Sequence, residues 1–244
     1  MSVIFTGMNG TVAPAVAKVF IQHGVDVVAF DRQLVSIDDV AQMTSFIQSV
    51  QPDAVFHFAT GPLQWAADLA SITKQLNIPF VYISTISVFD GKVTPAPYYP
   101  DTPTSATDDF GKYKADSEQA VLQIYPQASI YRLSWQITDD VTSNGMLRFL
   151  KEQMDRQGEV RASRSYYPSA AFLTDTADAV FDAYQNLPPG IYNFNSNDDV
   201  SFYDIIEYLA TKYPWIIVTD KAKFARDHRM LDERVSIKKL RDYL

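Results

Sequence analysis

The sequence predicts an α/β protein: a doubly wound parallel sheet over residues 1–135, with residues 136–244 forming a mixed region whose small lobe packs on the first part. Three observations predict it. Short apolar runs of strand character alternate with stretches whose apolar residues recur at helical spacing, the βαβα order that closes as a parallel sheet. The first run opens directly into a glycine-bearing turn and a helix. After Trp135 the alternation loosens into shorter elements, with no repeat, low-complexity tract or linker.

Val3-Ile4-Phe5 is the first strand, and Thr6-Gly7-Met8-Asn9-Gly10-Thr11-Val12-Ala13 is the turn. Val12 to His23 carries Val12, Val16, Val19 and Phe20 at helical spacing, with Gly24 placed to cap it. This layout presents free backbone N–H groups and the positive end of a helix dipole to a phosphate. The spacing is G-x-x-G-x-x-A rather than G-x-G-x-x-G. Gly7 permits the turn, Gly10 lets a pyrophosphate approach the backbone, and the small Ala13 lets the helix pack on the strand. An ordinary βα turn would use the same glycines. As a dinucleotide site, the turn contributes Gly7, Met8, Asn9, Gly10, Thr11 and Val12.

Asp26 to Phe30 is a second buried strand, ending at Asp31-Arg32. Asp31 lies 24 residues after Gly7, near the spacing at which an acid meets the adenosine ribose hydroxyls. Arg32 suits a 2′-phosphate instead, so NAD and NADP both stay open. Ser36 or Asp38 caps a helix over Asp39 to Val50, which Pro52 ends. Ala54 to Phe58 is the next strand; Phe58, Ala59 and Thr60 fall at its carboxyl end, where ligands sit in open α/β sheets. His57, inside that apolar run, reads as a core residue. Leu63 to Leu76 reads as helix, Phe80 to Ser84 as strand and residues 90–109 as an exposed loop. Asp108 or Asp109 caps a helix from Phe110 to Ile124, and Ser129 to Leu133 is the fifth strand. Further on, Met146 to Arg156, Thr174 to Asn186 and Ser201 to Tyr213 read as helices, with Gly190 to Phe194 a short strand.

Composition removes several classes. The net charge is -8 with no basic run, which argues against nucleic acid and against an anionic membrane surface. There are no cysteines, hence no thiol nucleophile or thiolate metal site, and the three histidines are scattered, so no metal site is expected. Met1-Ser2 runs straight into a strand and no apolar stretch nears twenty residues, so the expected location is the cytoplasm.

Several stretches together resemble one family. They are the Gly7–Gly10 turn, Gln51-Pro52-Asp53-Ala54-Val55, the run from Tyr82 through Ser84-Thr85 to Gly91, and Phe110-Gly111-Lys112-Tyr113-Lys114. Tyr131-Arg132-Leu133-Ser134-Trp135, Gly190 to Phe194, Leu231-Asp232 and Lys238-Lys239-Leu240 complete the set. The chain is identified as similar to the extended short-chain dehydrogenases/reductases, and within them to the dTDP-4-dehydrorhamnose reductase-like, sugar-nucleotide-binding family. The resemblance implies a Rossmann NAD(P)-binding fold and hydride transfer to a sugar ketone, with a Ser/Thr, a Tyr and a Lys around the carbonyl. Thr85 matches the hydroxyl member and Lys114 the lysine, which also holds the nicotinamide ribose. The tyrosine position is Phe110.

Phenylalanine keeps the ring but has no proton to give, and general acid catalysis is typically worth ~10²–10⁴-fold. Tyr113, three residues along the helix, is the candidate substitute. The family's Ser-Thr-Asp-Tyr is Ser84-Thr85-Ile86-Ser87 here, and the chain is shorter between Ala59 and Ser84, beside the family's dimer interface. Substrate and homodimerisation therefore stay open. Arg161, Arg164 and Tyr166 fall where the family approaches its nucleotide sugar, which with Thr85 makes them the candidate substrate contacts; a solvated basic turn is the plainer alternative. Two functions follow: a reductase of altered or impaired chemistry on a nucleotide sugar, or a silent NAD(P)-sensing or regulatory subunit.

Overall fold

A computed structural model describes residues 1–90 and 94–244; Gly91 of the Tyr82–Gly91 stretch lies outside the described residues. The chain runs β1 (Ser2–Thr6), α1 (Val12–Gln22), β2 (Asp26–Ala29), α2 (Val40–Val50), β3 (Ala54–His57), α3 (Leu63–Gln75), β4 (Phe80–Thr85) and α4 (Asp109–Ile124). It continues with β5 (Ser129–Leu133), β6 (Trp135–Ile137), α5 (Met146–Gln157), β7 (Val160–Arg161), β8 (Tyr166–Pro168) and β9 (Ala170–Phe172). α6 (Leu173–Asn186), β10 (Ile191–Phe194), α7 (Phe202–Lys212), β11 (Val218–Thr219) and β12 (Arg226–His228) complete it.

Among the described residues the main sheet has six strands, all parallel, in the order β10-β5-β4-β3-β1-β2. Both faces are buried along β1, β3, β4 and β5, as the apolar runs require. β2, expected to be a buried strand, is half-exposed because it is the sheet's edge, with a neighbour on one side only. Val3 and Phe5 of β1 join Phe56, Ile83 and Leu133 under α1 and α6. Ile4, between them, points the other way, into a cluster with Val55, Tyr82 and Ile130 under α2, α3 and α4. Two-residue alternation thus feeds two cores, one on each side of the sheet. The strand order reverses between β1 and β3, which opens a crevice at their carboxyl ends.

The division at residue 135 does not follow the sheet. β10 pairs in register with β5, Ile191 with Ile130 and Phe194 with Leu133, and α6 packs on α1. Tyr192 and Phe194 enter the α1-side core while Ile191 packs on the other. A strand with apolar groups on both faces is buried best at the open edge of the sheet, so the chain returns from the second lobe to complete the first. What remains is a lobe of three short parallel strand pairs, β6–β9, β7–β11 and β8–β12, around α5 and α7.

Element ends differ in small ways. α2 is capped by Asp39, whose Oδ1 accepts from Gln42 N at 2.9 Å, rather than by Ser36 or Asp38. Asp39 is the residue with extended backbone immediately before the helix, as an N-cap must be. α4 is capped by Asp108, which accepts from Gly111 N. α6 starts at Leu173 with no side-chain cap, since it continues directly from β9.

Candidate functional site

A cavity of about 1110 Å³ lies along the carboxyl ends of the sheet. The β1–α1 turn forms one end. Gly7 has φ +75, and a Cβ there would stand 2.9 Å from Ala59 N, so both backbone sign and space demand glycine. Gly10 N donates to Gly7 O at 2.8 Å, closing the turn. No side chain caps α1. The Thr11 hydroxyl instead accepts from Asn144 N at 3.0 Å, reaching across to the second lobe. The first-turn N–H groups of α1 therefore have no capping side chain, and Gly7, Asn9, Gly10, Thr11 and Val12 line the cavity. Met8 does not; it packs on the α1-side core.

At the end of β2 the two candidate selectors part company. The Asp31 carboxylate accepts from Gln33 N at 2.8 Å within its own exposed loop and lies off the cavity. Arg32 lines it, with its guanidinium 5.8 Å from the Trp65 ring centroid. Phe58, Ala59 and Thr60 also line it. Ala59 N donates to Thr6 Oγ1, which bonds His57 Nδ1 at 3.0 Å. His57 is a buried core residue whose pKa is pushed down to about 3, by burial first and by the Lys114 charge second.

The middle of the cavity holds Thr85, Phe110 and Lys114 together. A Cβ on Gly111 would overlap the Ser87 carbonyl oxygen, so α4 approaches the turn after β4 through glycine alone. That contact brings the start of α4, with Phe110 and Lys114, against the end of β4 that carries Thr85. Thr85 Oγ1 accepts from Ser87 N at 3.2 Å. Lys114 Nζ donates to Ile83 O at 2.8 Å and lies 4.7 Å from the Tyr82 ring centroid. Burial pulls its pKa down to about 8 against the opposing charge of Glu118. Beneath it, Glu118 is held by Arg132 Nη2 at 2.8 Å and by the Ser84 hydroxyl, a pairing buried on both sides.

Phe110 is 49 % exposed, an apolar ring open to the cavity. Tyr113 is not beside it. Its hydroxyl accepts from Gly61 N at 3.2 Å, against the β3–α3 loop and outside the cavity lining. Residues three apart on a helix are neighbours, but these two diverge in direction, and Tyr113 supplies no hydroxyl where Phe110 lacks one.

The far wall differs most from the sequence expectation. Tyr166 lines the cavity, whereas Arg161 and Arg164 lie outside it. Arg161 pairs with Glu159, and Arg164 pairs with Asp204 and Asp220 while stacking 3.6 Å over Tyr203. Nearby carboxylates outside the cavity satisfy both. The cavity's arginines on this side are Arg148 and Arg226, with His228. Arg148 comes from α5, and Arg226 and His228 come into place because β12 pairs with β8, Arg226 beside Tyr166 and His228 beside Pro168. Arg226 Nη2 donates to Asp90 O at 2.8 Å and His228 Nε2 to Phe89 O at 2.9 Å. Burial lowers the His228 pKa. The only sequence trace of this arrangement is the short Arg226-Asp227-His228 run, which carries no periodicity.

Comparison with known proteins fits this geometry. The family model described as RmlD substrate binding domain matches residues 1–61 and 63–214. The chain belongs to the RmlD substrate-binding-domain family. Within it, the chain is 27 % identical over 218 residues to the spore coat polysaccharide biosynthesis protein SpsK of Bacillus subtilis, covering 83 % of this chain and 76 % of that protein. It is 28 % identical over 170 residues to the dTDP-4-dehydrorhamnose reductase of Mycobacterium tuberculosis, a match that covers 68 % of this chain and 52 % of the relative. Its fold is shared by the NADP-bound dTDP-4-dehydrorhamnose reductase of Bacillus anthracis, with a TM-score of 0.81, 18 % identity and coverage of 99 % and 96 % of the two chains. The Clostridium acetobutylicum orthologue gives the same TM-score, 0.81, over 100 % of this chain and 96 % of that one. The RmlD-family assignment agrees with the parallel six-stranded sheet and with the resemblance read from the motifs.

Proposed function

We propose that this chain binds NADPH along the β1–α1 turn and a nucleotide-activated sugar against the far wall, and that Phe110 weakens its reduction of a sugar ketone. One observation carries the reading: the uncapped start of α1, Thr85, Lys114 and Phe110 all line one cavity. The α1 N–H groups and dipole suit a pyrophosphate. Lys114 Nζ, positively charged below about pH 8, suits ribose hydroxyls. Thr85 Oγ1 suits the substrate carbonyl. A bound reduced nicotinamide would supply the hydride. The proton must then come from elsewhere than residue 110, which costs ~10²–10⁴-fold in rate. Arg32 favours NADPH over NADH because it lines the cavity while the Asp31 carboxylate is engaged in its own loop.

The position of Tyr113 favours a second reading, a silent NAD(P)-sensing or regulatory subunit, since no tyrosine replaces the missing hydroxyl on α4. Calorimetric titration with NADPH and NADH, followed by a dTDP-4-keto-sugar reduction assay on wild type and Phe110→Tyr, separates the two. Weak wild-type turnover raised ~10²-fold or more by Phe110→Tyr supports the reductase reading. Turnover confined to the variant supports the silent one, and failure to bind either nucleotide removes both. Arg32→Ala is expected to weaken NADPH about tenfold more than NADH, as a lost charged hydrogen bond would.

A further inference from the structure

Two polar side chains in the cavity wall have no use in the binding scheme above. Ser134 is 5 % exposed and Gln136 6 %, and both line the cavity. Gln136 Nε2 donates to Ser134 O at 2.8 Å. A carbonyl oxygen only accepts, so this bond settles the amide's orientation and makes Oε1 the free end. Among the described residues, neither Gln136 Oε1 nor Ser134 Oγ has a hydrogen-bond partner. Buried polar atoms are normally paired, and an acceptor and a hydroxyl on two residues of a cavity lining, both without partners, are what a ligand group would complete.

The backbone around them is held on both sides. Ser134 N donates to Phe194 O at 3.1 Å and Trp135 N to Ser169 O at 3.1 Å. On β6, Trp135 and Ile137 pack in the second-lobe core, so alternation turns Gln136 away from it. Leu133 is the register partner of Thr85, which places Ser134 one residue past the row of Thr85, far along the sheet from Arg32.

We propose that Ser134 and Gln136 are specificity-determining residues that grip one hydroxyl of the sugar ring. That hydroxyl donates to Gln136 Oε1 and accepts from Ser134 Oγ–H. A deoxy carbon at the same ring position can do neither, and sites built around a ligand hydroxyl reject analogues that lack it. The assignment rests on the nucleotide-sugar reading of the cavity.

The test measures affinities of dTDP-L-rhamnose, dTDP and NADPH by calorimetry for wild type, Gln136→Met and Ser134→Ala, together with the melting temperature of each unliganded protein. Each variant is expected to weaken dTDP-L-rhamnose about five- to tenfold, the worth of one neutral hydrogen bond, and to leave dTDP and NADPH within about twofold. The melting temperature is expected to hold or rise for Ser134→Ala, which removes only an unpaired hydroxyl, and to fall slightly for Gln136→Met, which also removes the Nε2 bond to Ser134 O. Unchanged dTDP-L-rhamnose affinity in both variants overturns the proposal. Weakening confined to NADPH overturns it too and assigns the pair to the nicotinamide carboxamide. Wild type that binds NADPH but no dTDP-L-rhamnose removes the nucleotide-sugar reading and this assignment with it. If Gln136→Met fails to fold, Ser134→Ala, the smaller change, carries the test.

Discussion

Between Met1 and Thr60 the cavity wall is one continuous β-α-β-α-β run, whereas the opposite wall is assembled from short pieces scattered between Ser134 and His228. The two also differ in how their polar groups are settled. On the first wall Thr6, His57 and Ala59 bond one another, and Gly10 bonds Gly7. On the second, Ser134 Oγ, Gln136 Oε1 and Arg226 Nε are buried without partners among the described residues. Thr6, His57 and Ala59 on the first wall thus satisfy one another, and the α1 backbone N–H groups are what stay open to a ligand. A wall with unpaired groups asks for a particular ligand. The difference teaches that, under the proposed function, cofactor binding is an architectural property, while substrate choice is carried by individual side chains.

The largest expected effect falls outside both walls, on the buried Arg132–Glu118 pair. Arg132→Met would strand Glu118 as an uncompensated buried charge, at a cost of about 3–5 kcal/mol in urea unfolding. Glu118→Gln in the same background should recover part of that loss, since it removes the stranded charge.

The self-satisfied wall predicts its own pH response. His57 has a folded pKa near 3 against an ordinary value of 6.5. Between these values the unfolded chain holds a proton that the folded chain does not, so stability falls as pH drops below 6.5. One differential proton is worth about 1.4 kcal/mol per pH unit. Wild type should therefore lose stability more steeply than His57→Gln between pH 6 and 4, by roughly that slope. Equal slopes would mean that His57 titrates normally and that this wall is more open than its burial implies.

Gly7→Ala tests the same wall at the turn. The positive φ and the close approach to Ala59 N together should cost about 2–3 kcal/mol and weaken NADPH, with both read from denaturation and titration. The smallest effect should come from Arg164→Ala. Its partners are exposed carboxylates outside the cavity, so stability should change by less than about 1 kcal/mol and dTDP-L-rhamnose affinity not at all. A clear loss of affinity would return Arg164 to the substrate wall.

The sequence by itself determined the first wall. A strand, a turn and a helix start depend on residues within a few positions of one another, so Gly7, Gly10 and the apolar spacing of α1 were readable directly. The parallel α/β class followed from the alternation of elements, and the family resemblance singled out Thr85, Phe110 and Lys114. Tertiary structure decided the rest. β6, β8, β9 and β12 are three residues long each, too short to show a period, and their pairings join positions 35 and 60 residues apart, Trp135 with Ala170 and Tyr166 with Arg226. Arg161 and Arg164 looked equivalent to Arg148 and Arg226 as charges in a string. Which pair reaches the cavity depended on the elements that carry them: Arg226 stands on β12 beside Tyr166 and Arg148 on α5, whereas Arg161 and Arg164 are paired with carboxylates outside the cavity. The placement of β10 in the main sheet was likewise a matter of which edge could bury apolar groups on both faces.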